Sequence, residues 1–225
     1  MMDYATHVTA SRHQAIARAR DLGARLRTSG DGIAFSVGFL GLRKGPLQAI
    51  PQWLRISAEL VESRSPTTAA ELRSEAMTEL HHQGELERDL VELAARDTTL
   101  ESSRRHALAL ARHMRLRRLV PGTSDPFVVL ALDAEFAALD VELCPALLDG
   151  LTYAMPRTFD ARRFLRARSL DAPRRLEDSQ LRLTRALRRE PGKAAAWARV
   201  GADLVHSYLD LIEAYGPAQA RPLAA

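Results

Sequence analysis

The sequence predicts an all-α protein, built as a single bundle of seven or eight helices. Apolar residues recur at spacings of three and four along most of the chain, which is the period of an amphipathic helix. Alanine, leucine, arginine and glutamate, all good helix formers, dominate the composition. No stretch shows the alternation of a β-strand, and no glycine-rich phosphate loop follows a strand. These absences argue against a dinucleotide-binding fold and a P-loop enzyme.

Start and stop signals divide the chain into the predicted helices. Ser11 can cap the first helix, Pro66 opens the long fourth helix, and Asp125 precedes the sixth. The second segment, 33–42, is apolar almost all round and is therefore expected to be buried. The predicted ranges are 11–27, 33–42, 46 or 47 to 62, 67–96, 98 or 99 to 119, 127–152, 158–166 with a resumption after residue 173 to 189, and 193–215. Three prolines within these ranges are expected to bend or interrupt their helices: Pro51, Pro145 and Pro173.

The length of 225 residues suits one domain over 1–225, with 1–10 and 217–225 expected to be flexible ends. The single cysteine, Cys144, excludes a disulfide scaffold. The sequence shows neither an apolar run long enough for a bilayer nor a signal-peptide core. We therefore expect a soluble, cytoplasmic protein.

The net charge of +4 comes mainly from arginine, because Lys44 and Lys193 are the only lysines. The arginine-rich stretches are interleaved with acids or leucines at helical spacing, a pattern typical of solvated helix faces with internal ion pairs. Aromatic residues make up only 5% of the chain, too few for base-stacking platforms. The composition therefore favours neither nucleic acid nor a membrane as a partner.

The predicted fourth helix carries polar residues where core residues are expected. Glu75, Glu79 and His82 are spaced by four and three, so they share one helix face. Glu-x-x-His, here Glu79 and His82, is the arrangement that carboxylate-bridged di-metal bundles use. The same spacing also occurs on solvated helix faces with a glutamate–histidine pair, so both interpretations stay open.

A second polar residue interrupts the apolar sixth helix. Glu135 falls on a stripe with Leu132 and Leu139, and Glu142 extends the same row. Because an unpartnered buried carboxylate costs several kcal/mol, Glu135 must meet a cation or a metal unless the stripe is exposed.

A third acid–histidine pair, Asp203-x-x-His206, lies in the last helix. Its spacing would allow a metal ligand pair, but a surface pair is the more ordinary interpretation.

Four segments together cover most of the chain and carry a recognisable order of features. They are FLGLRKGPLQAIPQWLRISAELVESRS, ELHHQGELERDL, RTFDARRFLRARSLDAPRRLED and WARVGADLVHSYLDLIEAY. In their order and spacing these segments resemble the heme-oxygenase-like superfamily, which includes the thiaminase-II (TenA) type, pyrroloquinoline-quinone synthase and non-haem di-iron oxidases. The resemblance implies a heme-oxygenase-like bundle and, for Glu79 and Glu135, positions where its metal-binding members have glutamate ligands.

The chain departs from that pattern where metal-binding members have two histidines seven residues apart. Arg168 and Arg175 stand at this spacing here, with Asp171 between them. Arginine stays protonated and cannot ligate a metal. A guanidinium can instead pair with Glu79 and Glu135, so the resemblance implies a degenerate, metal-free pocket.

We therefore expect an enzyme of a biosynthetic pathway that transforms a small molecule by acid–base chemistry without a cofactor. The arginines of the pocket would suit an anionic substrate. A non-haem iron oxidase is the first alternative, with Fe(II) or Mn held by Glu79, His82 and Glu135. A non-catalytic ligand- or partner-binding relative is the second alternative.

Cys144 is a candidate nucleophile or a small buried hydrophobe. The resemblance also makes a homodimer plausible. The candidate catalytic residues are Glu79, His82, Glu135, Arg168, Asp171 and Arg175.

Overall fold

The structure is a computed structural model that describes residues 4–29, 32–44, 50–94, 104–119, 125–155 and 160–215. These ranges contain no β-strand, which confirms the all-α prediction. They form α1 (Tyr4–Ser29), α2 (Gly32–Lys44), α3 (Ile50–Glu62), α4 (Pro66–Ala94), α5 (Arg104–Leu119), α6 (Val128–Ala154), α7 (Arg163–Arg189) and α8 (Ala194–Glu213), with a short 3-10 turn at Pro191–Lys193.

Helix boundaries differ from the prediction at two places. Helix α1 begins at Tyr4, not at Ser11, so most of the segment 1–10 that was expected to be flexible is helical. Tyr4 and Val8 are buried, and their packing explains the longer helix. Helix α7 runs without interruption through Pro173, because the neighbouring helices α4 and α6 hold both halves in place. The predicted helix starts at 46 or 47, at 98 or 99 and at 158 lie outside the described residues.

Helix α6 is the central element of the bundle. It contacts α1, α7 and α8, and apolar residues on most of its circumference are buried. Its amino-terminal half belongs to one apolar cluster with α3 and the start of α4, and its carboxy-terminal half to another with α2. Charged side chains on α6 are therefore held between two apolar clusters, where they need partners.

Helices α1 and α6 approach each other very closely. A methyl group at Gly23 would overlap the carbonyl oxygen of Ala146, and one at Gly150 would lie 2.5 Å from the carbonyl oxygen of Gly23. Glycine at these positions lets the two backbones touch. In the described part of the chain, no helix has the length and apolar character needed to cross a membrane.

Candidate functional site

Helix α7 presents a row of three arginines to the interior of the bundle. Arg168, Arg175 and Arg182 are spaced by seven residues, which is close to two full turns, so their side chains lie on one face. Arg168 and Arg182 are buried, and only 11% of the Arg175 side chain is exposed. Buried guanidinium groups need carboxylate partners, and α4 and α6 supply them.

Glu79 on α4 is held by the first two arginines of this row. Its carboxylate accepts hydrogen bonds from Nη1 of Arg168 at 2.6 and 2.8 Å, and Nη1 of Arg175 lies 3.1 Å away. Arg43 on α2 approaches to 3.6 Å. Arg168 also donates to Asp140 on α6. Glu79 is therefore paired with guanidinium groups from α7 and α2.

Arg175 stands between carboxylates of two helices. Its Nε lies 2.7 Å from Glu75 on α4, and its two terminal nitrogens lie 3.1 Å from Asp133 and 3.2 Å from Asp140 on α6. Arg182 donates to Asp133 at 2.6 Å. We call the whole set the arginine–carboxylate network, which comprises Arg43, Arg168, Arg175, Arg182, Glu75, Glu79, Asp133 and Asp140.

The arginine–carboxylate network keeps Glu79 ionised. Burial by itself would raise the pKa of Glu79, but the three surrounding guanidinium groups outweigh it and hold the pKa well below its usual value. Glu75 shows the opposite balance, since burial raises its pKa and Arg175 offsets only part of the effect. The arginines of the network thus stabilise the ionised form of the inner carboxylate, Glu79, more than that of Glu75.

A buried aspartate fixes the arginine row in position. Asp89 on α4 accepts hydrogen bonds from the backbone N–H groups of Arg163 at 3.1 Å and Phe164 at 2.9 Å, at the start of α7. It thereby satisfies two of the free donors at the helix N-terminus. Asp89 thereby anchors the start of the helix that carries Arg168.

The arginine–carboxylate network forms one wall of an interior cavity of about 50 Å³. Glu79, Asp140, Arg168 and Arg175 line this wall. The remaining walls combine aromatic, basic and aliphatic side chains from other helices. Those that bear on the chemistry are Trp53, His113, Arg117 and Tyr208.

His113 on α5 is a neutral base held in one orientation. The Ser207 hydroxyl donates to the carbonyl oxygen of Leu204 at 2.8 Å, so its oxygen accepts from Nδ1–H of His113 at 2.9 Å. This relay places the proton on Nδ1 and leaves Nε2 with a free lone pair. Burial, followed by the charges of Arg117 and Arg43, lowers the pKa of His113 to about 3.

His82 is buried, as its position beside Glu79 suggests, but it does not line this cavity. Its Nε2 lies 2.8 Å from Asp171, whose side chain is half exposed. Burial and then the charge of Arg168 lower the pKa of His82, so its neutral form is favoured. His82 and Asp171 therefore form a pair of their own, at the margin of the network.

Glu135 is ion-paired, but it does not join Glu79. It accepts two hydrogen bonds from Arg12, both at 2.7 Å, and one from the Tyr4 hydroxyl at 2.9 Å. The expectation that Glu135 pairs with an arginine of α7 is corrected here. Two residues along a helix turn a side chain by about 200°, so Glu135 points towards α1 while Asp133 points towards α7.

The ligand set proposed for Fe(II) or Mn is not assembled by this geometry. Glu79, His82 and Glu135 each bind different partners, and the described residues include no group of three or more side chains suited to hold a metal ion. The chemistry of the donors explains this, because guanidinium groups stand where further ligands are needed. The residues present do not fit a di-iron or manganese centre.

The other sequence candidates also lie outside the cavity. His206 contacts Ser11 and Arg18, while Asp203 is exposed, so these two residues do not form a metal-binding pair. Glu142 forms a surface ion pair with Arg20 at 2.8 Å. Burial and the neighbouring Asp140 raise the pKa of the Cys144 thiol to about 12, so Cys144 is a buried small side chain rather than a nucleophile.

Sequence reasoning missed several residues of the site. Asp133 and Asp140 carry a usable signal, because their spacing of seven matches the arginine spacing on α7. His113, Trp53 and Arg117 carry no such signal, since only the packing of α3 and α5 brings them to the cavity. Comparison with family models, curated proteins and solved structures finds no match to this chain.

Proposed function

We propose that this protein is an enzyme that binds a small organic molecule in the interior cavity and moves a proton on it without a metal. The observation that carries the proposal is the neutral His113, whose relay through Ser207 leaves Nε2 free at the cavity. A positioned imidazole is the most common general base in enzymes. Tyr208 lines the same cavity and offers a hydroxyl group as a second proton donor or acceptor.

The arginine–carboxylate network supports this function by positioning rather than by proton transfer. Its guanidinium groups stay protonated, and Glu79 stays ionised, so neither changes its charge near neutral pH. A wall of fixed charges can orient a polar ligand without reorganising during a reaction. Glu79, Arg168 and Arg175 are therefore assigned to orienting the ligand.

His113 at rest is a weak base, because burial and then the charges of Arg117 and Arg43 lower its pKa. An efficient general base has a pKa near the operating pH. A ligand that carries negative charge would offset Arg43 and Arg117, and would thereby raise the pKa of His113 when it binds. The proposed enzyme thus has its base strengthened by its own substrate.

The resemblance to the heme-oxygenase-like superfamily belongs to the same proposal. It is supported by the all-α bundle and by the inward-facing acids of α4, at positions where the superfamily pattern has them. Fold analogy favours an enzyme but does not define the reaction, so the proposal depends on the cavity.

The test is a comparison of small-molecule turnover by two histidine variants. Wild type, His113→Asn and His81→Asn are each incubated with a fractionated metabolite extract, and mass spectrometry follows every compound over time. His81 is exposed on α4 and serves as the matched control. We expect wild type and the control to convert the same compound, while His113→Asn loses conversion and keeps its circular dichroism spectrum.

Two outcomes would contradict the proposal. If His113→Asn converts the compound as fast as wild type does, His113 is not the general base. Binding of a compound without any conversion by wild type would instead favour the non-catalytic, ligand-binding alternative.

A further inference from the structure

One arginine at the cavity has no carboxylate to balance it. Arg117 on α5 is partly buried, and no carboxylate oxygen of the described residues lies within 4.0 Å of its nitrogens. Its guanidinium carbon lies 5.1 Å from the centre of the Trp53 ring, a cation–π contact. Arg43 is only loosely paired, since its nearest carboxylate, Glu79, lies 3.6 Å away.

The charges lining the cavity do not cancel. Among the described residues, four arginines and three carboxylates line it, and His113 is neutral, so these residues carry one positive charge in excess. Glu75 and Arg182, which complete the network behind this wall, cancel each other and leave the excess unchanged. Burial, followed by repulsion from Arg43, lowers the pKa of Arg117 to about 10. An excess cation in a low-dielectric cavity is stabilised by an anion.

Two neutral donors, on Trp53 and Tyr208, also line the cavity beside the excess positive charge. The indole Nε1 of Trp53 is buried and makes no hydrogen bond to the described residues. Buried donors are normally satisfied, and an unsatisfied one costs free energy.

We propose that this part of the cavity binds the oxyanion group, a carboxylate or phosphate, of a small organic acid. Arg117 and Arg43 supply the positive charge, and Trp53 and Tyr208 supply neutral hydrogen-bond donors. The proposal rests on the proposed function in taking the same cavity as the ligand site. A cavity that holds benzene has about 150 Å³, so the space of about 50 Å³ here suits an acid with only a few heavy atoms.

The assay is calorimetric titration of the purified protein with three small probes. Propionate and inorganic phosphate carry the oxyanion, and propionamide has the shape of propionate without its charge. The titrations are made at low ionic strength, where salt screens the arginines least. We expect both anions to bind wild type and propionamide to bind far more weakly.

Two arginine variants locate the binding. Arg117→Gln removes the unbalanced cation, while Arg115→Gln removes an equal charge from an exposed position on the same helix. A charge-assisted hydrogen bond to an anion contributes about ten- to hundredfold in affinity, so Arg117→Gln should weaken anion binding by that factor. Arg115→Gln should bind as wild type does, and Arg117→Lys should restore part of the affinity.

A folding defect is separated from a binding defect by thermal unfolding. Arg117→Gln should be as stable as wild type or more stable, because it removes an unbalanced charge. Equal anion affinity in wild type and Arg117→Gln, equal affinity for propionate and propionamide, or no anion binding at all would overturn the proposal.

The metabolite assay distinguishes this inference from the proposed function. If the protein converts an uncharged compound, and Arg117→Gln converts it equally well, the proposed enzyme is supported and the oxyanion site is overturned. Arg117-dependent binding of anions without any conversion would support the oxyanion site and overturn the enzyme.

Discussion

Replacing Arg168 by methionine tests the arginine–carboxylate network most directly. Arg168 binds Glu79 through hydrogen bonds of 2.6 and 2.8 Å and also binds Asp140. All three residues are at most 6% exposed. Methionine fills a similar volume but leaves two buried carboxylates without their principal partner. The variant therefore removes charge pairing while disturbing the packing little.

The expected loss follows from the contacts that remain. Breaking a buried ion pair by removing one partner costs about 3–5 kcal/mol. Arg175 still lies 3.1 Å from Glu79 and 3.2 Å from Asp140, so we expect the lower end of that range. A loss of about 3 kcal/mol in a chain of this length lowers the melting temperature by about 6–12 °C.

Equilibrium unfolding in urea, followed by circular dichroism, measures the loss. Arg20→Met is the matched control, because the Arg20 side chain is 66% exposed and pairs with Glu142 at the surface. Such a surface pair contributes about 0–1 kcal/mol. Neutralising one acid, with Asp140→Asn in the Arg168→Met background, restores the charge balance of the network and should recover much of the stability, because Glu79 keeps Arg175 and Arg43 as partners.

The difference in unfolding free energy between wild type and Arg168→Met should depend on pH. In wild type the pKa of Glu79 is lowered, so the network's stabilisation is complete above the usual glutamate pKa and is lost as the pH falls. In the variant, burial without Arg168 raises that pKa relative to wild type, so the deficit should shrink as the pH falls. A loss no larger than that of Arg20→Met, or a deficit independent of pH, would refute the reasoning.

Three further outcomes are expected. Elemental analysis should find no stoichiometric iron or manganese, before or after incubation with Fe(II), because guanidinium groups already pair with the acids; an equivalent of bound metal would contradict this. Titration by NMR should place the pKa of His113 well below that of an exposed histidine, and Arg117→Gln should raise it; an unchanged pKa would exclude the charge effect. Gly23→Ala should cost about 1–3 kcal/mol by overlap with α6. At Gly41 an added methyl group faces open space, so Gly41→Ala should not lower the free energy of unfolding. Similar losses of stability in the two variants would contradict the close approach of α1 and α6.

The sequence was sufficient to predict the helices and half of the network. Glu75 and Glu79 follow from their spacing on one helix, while Arg168 and Arg175 follow from the resemblance. The structure brings these four residues together. Among the acids of α6, Glu135 stands out in the sequence because it interrupts an apolar stripe. It does meet a cation, Arg12 of α1, but Asp133 and Asp140 are the acids that pair with α7. Almost every face of α6 is buried, so hydrophobicity alone cannot tell which of its acids faces α7.

The remainder of the cavity depends on contacts between helices that are distant along the chain. His113 on α5 is fixed by Ser207 on α8, and Arg117 on α5 lies against Trp53 on α3. No local pattern encodes these contacts. Pro173 illustrates the same limit, because its local tendency to break a helix is outweighed by the packing of α7 between α4 and α6.

The charge balance of the interior connects the fold to its proposed chemistry. Within the arginine–carboxylate network, four guanidinium groups match four carboxylates, so the chain itself supplies the positive charge that these buried acids need. That charge is permanent, because arginine does not lose its proton near neutral pH. Among the described residues that line the cavity, this leaves the charge of Arg117 for a ligand to balance. Since Arg117 also depresses the pKa of His113, a ligand that neutralises Arg117 both completes the charge balance and strengthens the base.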